Sequence, residues 1–153
     1  MPVPPGIAIA MLEHTRPTVA AQIAFVMQCA APEAPWLPEA AAVTVDPARY
    51  LGAMRGDEIA GVVALSALQG GMQLVSSLAV IPKAQRQGIG LALLEVALQL
   101  AAGQTVLLVA QALNTRALAL YQQAGFVEQG RFTDETRSEE MIRLWRPAPD
   151  QSI

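Results

Sequence analysis

The run Gln85-Arg86-Gln87-Gly88-Ile89-Gly90 stands between an apolar strand candidate, Val75 to Ile81, and a leucine-rich helix that opens at Gly88. A strand, a glycine-bearing turn and a helix start form an anion cradle. The first amides of a helix have no acceptor within it, and the positive end of its dipole points into the turn. A phosphate or pyrophosphate is the usual occupant, so the turn points to a nucleotide-like cofactor. The spacing excludes the two commonest phosphate motifs. A dinucleotide fingerprint needs a third glycine where Leu93 stands, and a P-loop needs Gly-Lys-Ser/Thr where Gly90-Leu91-Ala92 stands.

One helix and one strand downstream lies Leu113-Asn114-Thr115-Arg116-Ala117-Leu118-Ala119-Leu120-Tyr121-Gln122-Gln123-Ala124-Gly125-Phe126. It reads as a complete helix: Asn114 caps the first turn with its side-chain oxygen, and Gly125 takes the left-handed conformation that ends it. Tyr121 lies two turns inside. Ser77-Leu78-Ala79-Val80-Ile81-Pro82 followed by Gln85-x-x-Gly88-x-Gly90 resembles the acyl-coenzyme A loop of the GCN5-related N-acetyltransferase (GNAT) superfamily. Asn114, Ala117, Leu120-Tyr121 and Gly125-Phe126 resemble that family's other signature, in the right order. The resemblance is firm from about Ser76 to Phe126, extends over Tyr50 to Arg146, and is absent before Pro47.

The resemblance implies an α/β fold: a central, mostly antiparallel mixed sheet with one parallel, splayed strand pair and helices on both faces. Strands Met72–Ile81 and Thr105–Val109 would diverge, and the pantetheine arm of acetyl-coenzyme A would enter the gap beside Ala79 and Val80. Gln85, Arg86, Gln87, Gly88, Ile89 and Gly90 would surround the pyrophosphate, with the amides of Gln87, Gly88 and Gly90 on it. Arg86 and Lys83, the chain's single lysine, would add positive charge. Asn114 matches the asparagine that touches the cofactor arm, although helix capping explains it equally well.

Catalysis in the family is direct attack of a neutral amine on the thioester carbonyl. An amide at Leu78 or Ala79 would polarise that carbonyl, and one such donor is typically worth about 10²–10³ in rate. Tyr121 matches the family's general acid; the alternative is an aromatic packed on the sheet. The base is a departure. Many members carry a glutamate where this chain has Ser76, which cannot act as a base at neutral pH. Either water held by Ser76 and Ser77 relays the proton, or Asp134, Glu135 or Glu39 reaches the site from a loop, or the acceptor amine arrives deprotonated.

The elements that must hold these groups can be read from the rest of the chain. Gly6 to Leu12 reads as a first strand. Pro17 to Ala30 places Val19, Ile23, Val26, Met27 and Ala30 on one helical face. Pro32, Pro35 and Pro38 then interrupt, with a short helix expected at Pro38 to Val43. Tyr50 to Arg55, Ile59 to Leu68 and Met72 to Ile81, joined at Gly56-Asp57 and Gly70-Gly71, form an antiparallel meander. Ile59 to Leu68 is apolar on both alternating faces, so helices should cover both sides of the sheet. The helix Gly88 to Ala102 supplies one cover with Ile89, Leu93, Val96 and Leu100 inward. Thr105 to Val109 returns parallel after the crossover. A helix from Thr115 to Ala124 covers the sheet again, and strands come next at Phe126 to Gly130 and Glu139 to Arg146.

At 153 residues the chain is the size of one ordinary domain, and a single domain over residues 1–153 is expected. One cysteine, Cys29, permits no intrachain disulfide, and it reads as a packed small side chain in a cytoplasmic protein. A net charge of −3 leaves no basic stripe for nucleic acid. Ile59 to Pro82 and Val96 to Thr115 carry no charge, but Gln69-Gly70-Gly71 and Gly103-Gln104-Thr105 break them into strand and short-helix lengths, which argues against a membrane span. One histidine and one cysteine leave no metal-ligand cluster, so no metal is expected. His14 reads as a surface residue, Trp36 as a loop side chain lining the acceptor pocket or tucked on a helix, and Trp145 as a packed one.

The expected function is acetyl-coenzyme A-dependent N-acetylation of a primary amine on a small molecule or peptide. The alternative is a module that binds or senses acyl-coenzyme A without transferring the acyl group, motivated by Ser76. A third reading takes the uncharged stretch Thr18 to Met27 as a surface for homodimer assembly.

Overall fold

In a computed structural model of the chain, the structure describes residues 3–31 and 37–148. The elements run β1 (Ala8–Met11), α1 (Pro17–Ala30), α2 (Ala40–Val45), β2 (Arg49–Arg55), β3 (Glu58–Leu68), β4 (Met72–Val80), a single 3₁₀ turn (Pro82–Ala84), α3 (Ile89–Leu100), β5 (Val106–Gln111), α4 (Thr115–Gln123), β6 (Val127–Asp134) and β7 (Glu139–Arg146). Seven strands form one sheet in the order β1-β2-β3-β4-β5-β7-β6. Every neighbouring pair is antiparallel except β4 and β5. This is the mixed α/β sheet expected from the sequence.

The centre of the sheet is dry. Val62, Val63 and Ala64 are completely buried and Leu65 nearly so, which requires cover on both faces. Helices α1 and α3 both pack on β3 and β4 and supply it. Proline at its first turn starts α1, and Ala20, Ile23, Val26 and Met27 form its buried stripe. One side of the stretch considered as a dimer surface is therefore buried in the core, while Thr18, Ala21, Gln22 and Phe25 are exposed on the other. Along α3 the stripe Ile89, Leu93, Ala97 and Ala101 is buried, with Leu94 beside it, whereas the expected Val96 and Leu100 are only half-buried.

Several boundaries differ from expectation. The short second helix begins two residues later, at Ala40, because the chain is extended at Glu39. Strand β6 runs on to Asp134, since its pairing with β7 resumes beyond an irregularity between Glu128 and Gly130. Helix α4 buries no residue at all. Its Leu118 and Tyr121 pack half-buried against the core, and a cavity lies beside them.

Two features of β4 shape that space. Its parallel pairing with β5 covers only Gln73↔Val106 and Leu74↔Leu107. Its pairing with β3 slips between Ala64↔Ser77 and Leu65↔Val75, so Ser76 is an extra, bulged residue. The bulge re-aims the strand and the parallel partner is lost just above Leu74. The pair opens towards the turn that precedes α3. Among the described residues no helix is long and apolar enough to cross a membrane.

Candidate active site

A cavity of about 460 Å³ occupies the opening, within the usual range for small-ligand sites of roughly 300–1,000 Å³. Its wall is the end of β4 (Leu78, Ala79, Val80), its rim is the turn and first residues of α3 (Gln85, Arg86, Gly88, Ile89, Gly90), and its roof is α4 with Asn114 and Tyr121. Segments separated by some 30 residues in the chain thus meet around one space.

The rim has the geometry of an anion site. Arg86 and Gly88 both take left-handed backbone conformations, with φ of 66° and 84°, and fold the turn back on itself. Gly88 is the N-cap of α3, one residue before the helix proper, and brings no side chain to satisfy the first amides. The first helical bond runs from the Ala92 amide to the Gly88 carbonyl, so the amides before it lack a helical acceptor. Gln85 braces the arrangement by donating its side-chain amide to the Val80 carbonyl at 2.9 Å, which ties the turn to the end of β4.

Not every expected residue reaches the space. Gln87 does not line the cavity; its side chain accepts from Arg55 at 2.7 Å and reaches the Lys83 carbonyl. Lys83 pairs with Glu58 at 3.0 Å on the surface and does not line the cavity. Ser76 also lies off the cavity wall and is exposed at the bulge.

On the roof, Asn114 Oδ1 accepts from the Ala117 amide at 3.2 Å, which is the capping bond read from the sequence. The same side chain lines the cavity, so both readings of it coexist. Gly125 ends the helix with φ of 96°. Tyr121 is half-buried against Phe126, ring centroids 6.2 Å apart and edge to face. Burial pushes its phenol above the ordinary value, so the hydroxyl holds its proton throughout the neutral range.

The three loop carboxylates considered as bases fare differently. Asp134 is bonded to Arg137 at 2.6 Å, and that guanidinium holds its carboxyl below the usual range. Glu135 is exposed in the β6–β7 turn, and Glu39 is exposed at the start of α2. Sequence reasoning missed Glu139, whose carboxylate accepts from the Gln111 side chain at 2.9 Å across the β5–β7 pair. Only strand register brings those two together, and no local spacing announces it. His14, expected at the surface, is half-buried there. It bonds the Asp46 carbonyl at 2.7 Å and packs on Tyr50, whose hydroxyl donates to Asp46 at 2.6 Å. That cluster anchors the α2–β2 junction and contributes no side chain to the cavity lining. Cys29 is half-buried against the core, and Trp36 lies outside the described residues.

A mixed sheet that opens between its parallel strands, onto a glycine-capped helix start, defines the acyltransferase type of α/β fold anticipated from the two motifs. A model of the acetyltransferase (GNAT) family matches residues 17–126, and the chain belongs to that family. Its fold is shared with the ribosomal-protein-S18-alanine N-acetyltransferase of Escherichia coli, with a TM-score of 0.77 and 20% identity over 96% of this chain and 98% of that one. An IAA acetyltransferase from Bacillus cereus aligns with a TM-score of 0.73 and 22% identity, covering 91% and 97%. A Bacillus subtilis acetyltransferase in complex with CoA aligns with a TM-score of 0.72 and 22% identity, covering 94% and 99%. No curated protein sequence matches the chain.

Proposed function

We propose that the chain is a single-domain acetyl-coenzyme A-dependent N-acetyltransferase that acts on the primary amine of a small molecule or peptide. The observation that carries this reading is the cavity itself: one space touches an uncapped helix start, the end of a strand without its parallel partner, and a protonated phenol. Those three features are what an acyl-coenzyme A requires, namely a diphosphate site, an edge for an amide-bearing arm, and an acid near the sulphur. The B. subtilis relative's complex with CoA, and the E. coli relative's action on an alanine, support the cofactor and the amine respectively.

In this reading the amides of Gly88, Ile89 and Gly90 hold the diphosphate with Gln85 and Arg86 beside it, while Gln87 contributes through its backbone. Helix-terminus electrostatics are worth roughly 0.3–2 kcal/mol here. Ala79 and Val80 offer backbone groups to the pantetheine arm, and Asn114 touches it with the amide that its capping bond leaves free. The Leu78 or Ala79 amide receives the charge that develops on the carbonyl oxygen. Tyr121 gives its proton to the departing sulphur. Ser76, exposed at the bulge, holds water on the acceptor side rather than acting as a base.

Isothermal calorimetry with coenzyme A, together with thiol release from acetyl-coenzyme A across an amine panel, tests the proposal. Binding with turnover is expected. No association with coenzyme A would overturn it, and binding without thiol release for any amine would instead favour a sensing module.

A further inference from the structure

Strand register defines the acceptor side of the site, given the acetyl-transfer function proposed for the cavity. Counting upward from Leu74↔Leu107, with one extra residue for the bulge at Ser76, sets Leu78 and Ala79 at the height of Ala110 and Gln111. Leu107, Val109 and Gln111 share one face of β5, because side chains alternate along a strand. That face is opposite the α3 side. A Cβ on Gly61 would meet Leu93 of α3, its pairing partner Val80 shares that side, and Leu74 lies on the other.

On this opposite face the Gln111 side chain holds the Glu139 carboxylate at 2.9 Å. Glu139 opens β7, is half-buried, and makes no ion pair among the described residues. Its cross-strand neighbour Asp134 is consumed by Arg137. Arg143, further along the face, lies over the Phe132 ring at 4.6 Å. A fixed carboxylate without a cation therefore stands across the open strand pair from the amides expected to polarise the thioester. Two residues below Gln111, Val109 is 45% exposed on the same face and offers an apolar rest.

We propose that Glu139 receives the ammonium group of the acceptor and removes its proton, and that the acceptor is a primary amine on an apolar stem. The ammonium gives one proton to the Glu139 carboxylate, which becomes a carboxylic acid. The freed nitrogen lone pair forms the C–N bond at the thioester carbonyl as the C–S bond breaks. Sulphur takes the Tyr121 proton, and the tyrosinate recovers the second proton from nitrogen. Glu139 then releases the first to solvent, so one amide, one thiol and one proton leave.

The test compares wild-type protein, E139Q and E139D at saturating acetyl-coenzyme A with n-hexylamine, leucinamide and a leucine-initiated hexapeptide. Wild type is expected to release thiol with at least one of them. E139Q should lower kcat/KM about 10²–10³-fold, within the usual span for a positioned base. It should also abolish the acidic limb of the pH profile, while coenzyme A affinity stays within twofold. E139D should recover part of the loss. Asp134, Arg137 and Arg143 share the face and are retained in all three proteins, and E139D keeps a carboxylate there, so recovery of the limb by E139D assigns it to position 139. Independently of turnover, titrating the amine should shift the Gln111 side-chain amide resonances saturably in wild type and not in E139Q. An E139Q profile with the same acidic limb and kcat/KM within threefold overturns the inference. So does wild type that binds coenzyme A yet turns over none of the three amines. Failure of wild type to bind coenzyme A removes the underlying acetyl-transfer reading instead.

Discussion

The two faces of the open strand pair are built by different means. In the proposed reaction the working groups on the α3–α4 face are mostly backbone: the amides that begin α3, the end of β4, and one phenol set by helix geometry. On the opposite face they are side chains, Gln111 and Glu139, brought together from strands 28 residues apart. Backbone sites need particular conformations, and glycine advertises those in a sequence. Side-chain sites need only register, which the sequence does not spell out. The first face should tolerate changes of side chain yet fail with changes of backbone, and the second should behave in the reverse way.

The largest effect is expected where a side chain works on the backbone-built face. Tyr121→Phe should cut kcat about 10²–10⁴-fold and leave coenzyme A affinity intact, measured by steady-state thiol release and calorimetry. The pH dependence gives its sign. An acid must be protonated to act, and burial raises this phenol from 10.0. Activity should therefore persist through the neutral range and fall only as pH rises past the ordinary phenol value, a limb that Tyr121→Phe should lack.

Next in size is Leu93→Ala. Leu93 is fully buried on the inner face of α3, and its truncation should cost about 2–5 kcal/mol in chemical denaturation. Gly88→Glu should come after it. It forces a side chain into a left-handed position and sets a negative charge at the helix start, so coenzyme A affinity should fall on the order of tenfold or more by calorimetry. The smallest effect belongs to the exposed Arg131, paired to Glu128 and Glu140 on the outer hairpin. Arg131→Ala should change stability by no more than about 1 kcal/mol and leave coenzyme A affinity alone. A larger loss of affinity there would blur the contrast between the two faces.

Legibility in the sequence divides along the same line. The strand, glycine turn and helix from Val75 to Leu100, and the capped helix from Asn114 to Gly125, could be read because each is a local pattern with its own punctuation. Most elements fell within two residues of where periodicity put them. What local pattern could not supply was which side chains tertiary contacts would claim. Lys83 is drawn to Glu58, Gln87 to Arg55, and His14 to the Asp46 carbonyl. The long pairing of β6 and the shallow burial of α4 likewise depend on partners remote in the chain.

Only two register pairs join β4 to β5, so the seven-stranded sheet is stitched along its middle by a very short seam. Above that seam β4 is still paired with β3, but its amides that point towards β5 have no neighbouring strand to protect them, and they should exchange with deuterated water far faster than those that point to β3. An extended, amide-containing ligand laid along that edge would act as a removable eighth strand. The amides left open along that edge would then become slow to exchange, only while the ligand stays.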